Sequence, residues 1–107
     1  MIEKVFDYTI GNSKTIERIV ADKNVKINHM ILNKGECLPE HYSNSNVYMV
    51  VIRGAVTLTL DDKAAQTFET GKIINIAYNT KMNVCNTGEE TLELFVIKAP
   101  APEYYQQ

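Results

Sequence analysis

The sequence predicts an all-β domain, a small antiparallel β-barrel, on three observations. No stretch carries a long apolar pattern of period 3.6 free of helix breakers. Short runs rich in Val, Ile, Thr, Tyr and Phe recur instead, each bounded by Gly, Asn, Asp or Pro. These runs follow one another closely, as in a sandwich or barrel, without the intervening helices of a parallel α/β sheet.

Residues 12–22 offer Asn12 or Ser13 as a helix cap, but the β-branched Thr15, Ile16, Ile19 and Val20 favour a short strand. Val25, Ile27, His29 and Ile31 then alternate with Lys26, Asn28, Met30 and Leu32, and Asn33-Lys34-Gly35 ends the run. Residues 47–52, Val-Tyr-Met-Val-Val-Ile, are apolar on both faces and predict a central strand with something packed on each side. Gly54 marks a bend or a close approach of backbone. Val56-Thr-Leu-Thr-Leu60 alternates cleanly, and Asp61-Asp62-Lys63 predicts a hairpin turn before residues 67–69. Strands follow at 73–76, at 82–85 after the turn at Asn79-Thr80-Lys81, and at 91–97 after the turn at Asn86-Thr87-Gly88. The tail 99–107, with Pro100, Pro102, Tyr104 and Tyr105, has no strand pattern and is expected to be loose or docked.

A chain of 107 residues suits a single domain, read as 1–107 with a core over about 25–98. The net charge is −2 and the 11 basic residues are scattered, so no basic stripe points to nucleic acid. The first residues carry charges where a signal peptide needs an apolar run, and no segment approaches the roughly 20 apolar residues of a membrane span. The chain therefore reads as cytoplasmic, without a membrane partner. Cys37 and Cys85 lack metal-ligand spacing, and in a reducing compartment they are expected to be two free thiols. Strands 47–52 and 92–97 are apolar on both faces, which one barrel interior does not need. Either helical or N-terminal segments cover the second face or, as the preferred expectation, the chain forms a homodimer.

The segment Gly35-Glu-Cys-Leu-Pro-Glu-His41-Tyr-Ser43-Asn-Ser-Asn-Val47, continuing to Gly54, resembles the first motif of the cupins in its spacing. Gly71 through Ala77, Asn79 and Met82 to Asn86 resembles the second. The resemblance spans roughly residues 25–98 and implies a double-stranded β-helix, or jelly roll. It also implies that positions 41, 43, 47 and 82 line the barrel. In metal-binding cupins these positions carry three histidines and a glutamate. Here only His41 remains, with Ser43, Val47 and Met82 at the others.

One imidazole, a hydroxyl, a hydrocarbon and a thioether make a poor cage for a hard or borderline ion, so no cofactor is expected. A soft set of His41, His29, Met82 and Cys37, suited to copper, is the alternative. His29 reads either as a satisfied core or rim histidine or, by its parity with Ile27 and Ile31, as a pocket group directed at His41. Ligand contacts are assigned to His41, Ser43, Val47 and Met82, with His29, Met49 and Tyr78. His41 is the sole catalytic candidate and has no evident acid–base partner.

Three functions follow from this reading. The first is a metal-independent domain that binds a small organic molecule. The second is an enzyme of isomerase, epimerase or oxygenase type using His41 with a non-canonical or soft metal site, and the third is a dimeric structural or interaction scaffold.

Overall fold

The computed structural model describes residues 2–106; Met1 and Gln107, the ends of the expected domain, lie outside the described residues. The strands are β1 (Thr15–Ala21), β2 (Lys26–Leu32), β3 (His41–Tyr42), β4 (Val47–Arg53), β5 (Ala55–Leu60), β6 (Gln66–Glu69), β7 (Ile73–Ile76), β8 (Lys81–Cys85) and β9 (Leu92–Lys98). They form two antiparallel sheets, ordered β1-β2-β9-β4-β7 and β3-β8-β5-β6, in the arrangement of a double-stranded β-helix. The expected strands recur within a residue or two. The pair His41–Tyr42 is too short to leave a periodic signal and shows itself only through its pairing with Met82 and Lys81.

The inner faces meet in one apolar core. Met30 and Leu32 of β2, Val47, Met49 and Val51 of β4, and Leu92, Leu94 and Val96 of β9 face Val56 and Leu58 of β5 and Met82 and Val84 of β8. Two backbone positions hold this shape. Gly54 has φ 71°, and a Cβ there would lie 2.4 Å from the carbonyl oxygen of Thr91, so the turn between β4 and β5 requires glycine. Asn79, where the motif has glycine, adopts φ 64°.

The outer face of the five-stranded sheet carries the opposite parity, and of the two readings of His29 it is the satisfied core histidine that the structure shows, which corrects its assignment to the pocket. Because β2 is buried on both sides, its alternation does not reveal which set faces inward. Met30 and Leu32 do, while Ile27, His29 and Ile31 point outward. An N-terminal arm, residues 2–12, covers part of this outer face. Tyr8 packs on the His29 ring at 4.7 Å and on Phe95 at 4.9 Å, and Thr9 donates to Glu17 from both its N–H and its hydroxyl. Tyr48, Ile52 and Ile73 remain outside this cover, 40%, 38% and 67% exposed.

Cys37 and Cys85 form a disulfide, correcting the expectation of two free thiols. The segment before β3 runs alongside β8, with Leu38 N–H donating to Val84 O and Asn86 N–H to Glu36 O, which sets the two cysteines directly opposite each other. A sequence separation of 48 gives no hint of this proximity. The tail is docked: Ala101 and Pro102 are buried, and a short 3-10 helix (Pro102–Gln106) stacks Tyr105 on Tyr78 at 4.1 Å.

Candidate functional site

A cavity of about 50 Å³ lies between the sheets. Met30, Leu38, Val47, Met49, Met82, Val84 and Val96 supply its apolar wall, and Asn28, His41, Ser43, Asn44 and Lys98 its polar groups. Larger depressions, such as one of about 450 Å³ beside Gly54, Glu69 and Glu89, are open clefts on the surface. The cavity volume is far below the roughly 300 Å³ of a pocket that encloses a drug-sized ligand, and admits about two heavy atoms or a water.

Four of the residues assigned to ligand contact, His41, Ser43, Val47 and Met82, therefore come together, joined by Met49. Their chemistry differs from residue to residue. The exposed His41 donates from Nδ1 to the carbonyl of Pro39 at 3.0 Å, which leaves Nε2 of the neutral ring as an acceptor. Ser43 is buried and engaged: its hydroxyl donates to Ala77 O at 2.7 Å and accepts from Thr80 N–H at 2.8 Å, so it closes the 77–80 turn. Val47 and Met82 are wall.

Two assigned residues lie elsewhere. Tyr78 sits outside the cavity, against Tyr105, because the docked tail captures its ring. His29 is fully buried on the outer face, where Nδ1 donates to Glu17 at 2.7 Å and Nε2 donates to Glu93 at 2.5 Å. Glu17 stands directly opposite His29 on β1, and Glu93 lies two residues from its β9 partner Phe95. Arg53 extends the cluster: its Nε is 3.1 Å from Glu93, an ion pair without hydrogen-bond geometry, while its Nη atoms donate to Asn12 and to Gly11 O.

The family's metal ion does not fit the residues at its position. Ser43 has its hydroxyl committed to the turn, Val47 offers no donor, and among the described residues no carboxylate lines the cavity. The soft alternative fails too. His29 faces away, and Cys37 is held in a disulfide near the molecular surface. Among the described residues no three His, Cys, Asp or Glu side chains are disposed to hold a metal ion. Glu17 and Glu93 flank opposite nitrogens of the His29 ring rather than converging on one point.

Sequence reasoning missed Lys98, Asn28 and Asn44. Lys98 shares the parity of the inward Leu94 and Val96, a signal that was readable. That it meets β2 depends on the pairing Lys26–Lys98 and Asn28–Val96. Burial, and then the positive charges of Lys26 and Arg18, hold the Lys98 ammonium below its ordinary pKa.

The two sheets and the cavity between them define a cupin. No family profile matches the sequence. An uncharacterised protein of Methanocaldococcus jannaschii, MJ0764, is 41% identical over 104 residues, 96% of this chain and 90% of its own length. Its crystal structure, described as that of an RmlC-like cupin family protein with a double-stranded β-helix fold, superposes with a TM-score of 0.96 at 40% identity. That match covers 100% of this chain and 99% of the other. The chain belongs to the RmlC-like cupin family. Fold alone is shared with a double-stranded β-helix protein of Klebsiella pneumoniae, 13% identical at a TM-score of 0.74 over 87% of this chain and 82% of the other. The same holds for a cupin superfamily protein of Desulfitobacterium hafniense, 13% identical at a TM-score of 0.73 over 89% and 84%. No helix of the described residues is long and apolar enough to cross a membrane.

Proposed function

We propose that this cupin domain binds a small organic molecule without a metal ion and does so as a homodimer. The cavity supports the binding role: its wall is aliphatic and thioether, and its polar groups are a histidine acceptor, two amides and a lysine. The ligand inserts a short apolar end, because about 50 Å³ leaves no room for more. Met30, Met49 and Met82, with three rotatable bonds each, let the cavity adjust to that end. His41 positions the ligand's polar part through its free ring nitrogen. The dimer is supported by the apolar row Tyr48, Ile52 and Ile73 on the outer face.

A ligand-observed NMR screen of chelator-treated protein tests the binding role. Fragments with a two- to four-carbon end are expected to bind, and Val96→Phe, which fills the cavity, is expected to abolish their binding while the amide spectrum stays folded. Equal binding to the filled variant, or binding only after metal is restored, would overturn the reading.

A further inference from the structure

We propose that the rim of this cavity is an anion site, which seats a carboxylate or phosphate group of the ligand on Lys98 beside Asn28. The inference rests on the reading of the cavity as a ligand site and names the chemistry of that ligand. Three cations share the inner face at this end of the five-stranded sheet. Lys26 on β2 stands directly opposite Lys98 on β9, and Arg18 on β1 stands directly opposite Asn28, the next inward residue of β2.

Like charges placed opposite each other across strands repel, so the arrangement costs stability when nothing lies between them. One carboxylate answers three cations: Glu103 accepts from Lys26 at 3.0 Å, and this contact chiefly holds its carboxyl below the ordinary value. Among the described residues no carboxylate lies within 4.0 Å of Lys98. A half-buried ammonium beside two other cations, above a cavity that no acidic side chain among the described residues lines, gains most from an anion that arrives from outside. Asn28 adds two amide donors next to it. The ligand class is thus a small amphipathic anion, with a charged group at the rim and a short apolar end below.

Four probes on 15N-labelled protein separate the possibilities: butyrate, butanol, butylammonium and inorganic phosphate, each titrated at low ionic strength. Butyrate is expected to shift the amides around Asn28 and Lys98 and to bind about ten-fold more tightly than butanol, with butylammonium weaker than both. Lys98→Met is expected to erase that preference and Lys98→Arg to keep most of it. Lys26→Met, which removes the neighbouring charge, is expected to reduce it as a second and independent variant. Phosphate binding at the same amides assigns the headgroup to the phosphate type, and its failure beside tight butyrate assigns it to carboxylates; both support the site. Butanol binding as tightly as butyrate would overturn the anion site and leave the cavity reading standing. Silence of all four probes would overturn both.

Discussion

Removing the His29 ring would strip a donor from two carboxylates at once. Both of its nitrogens donate, to Glu17 at 2.7 Å and to Glu93 at 2.5 Å, in a position with no exposed surface. The ring is thus held between two carboxylates, and Arg53 shares Glu93. His29→Leu keeps the volume but leaves Glu93, 12% exposed, with Arg53 on one side and hydrocarbon in place of the ring. Breaking a buried pair from one side costs about 3 kcal/mol. Urea unfolding is expected to show a loss of that size, with the binding proposed for the interior cavity unaffected. A loss below about 1 kcal/mol would mean that water reaches the cluster.

At the level of elements, the N-terminal arm is fastened to β1 through one carboxylate. Thr9 N–H, first, and then the His29 ring hold the Glu17 carboxyl below its ordinary value of 4.5. A depressed carboxyl pKa contributes stability above 4.5, and that contribution is lost as pH falls through the lower folded value. Wild-type protein is therefore expected to lose protection of the Thr9 amide in acid before the core strands unfold. In Glu17→Gln the arm is expected to be loose already at pH 7, and the difference between the two proteins should shrink below pH 4.5. Hydrogen exchange across that range reads both. The disulfide acts at the same scale, tying the segment before β3 to β8 behind His41, although backbone hydrogen bonds on both sides already hold that pairing.

For the whole molecule, the proposed dimer rests on the outer sheet face. Ile73 stands opposite Val50 on the neighbouring strand, so it shares a face with Tyr48 and Ile52, next to the exposed arm residue Ile10. Light scattering is expected to give about twice 12.1 kDa at micromolar concentration. Ile52→Glu with Ile73→Lys is expected to give a folded monomer. A wild-type chain that is monomeric throughout would remove the dimer from the proposed function.

How much of this was legible depends on whether the deciding interaction is local. Strand positions, the turns at Asp61, Asn79 and Asn86, and the glycine at 54 were readable, because alternation and turn chemistry act over a few residues. Two motifs in register carried the family, and they brought His41, Ser43, Val47 and Met82 to one cavity. The inward set of β2 was not readable: with both faces apolar, parity alone cannot tell Met30 from His29, and the arm that buries His29 comes from elsewhere in the chain. The disulfide, the docking of Tyr78 on the tail and the meeting of Lys98 with Lys26 belong to the same class. The sequence by itself determined an all-β barrel of the cupin kind, with a cavity that keeps His41 alone of the family's four metal ligands. Only the tertiary structure decided that Asn28, Asn44 and Lys98 join His41 and Ser43 at that cavity, because strand pairing brings together residues whose separation along the chain carries no record of their contact.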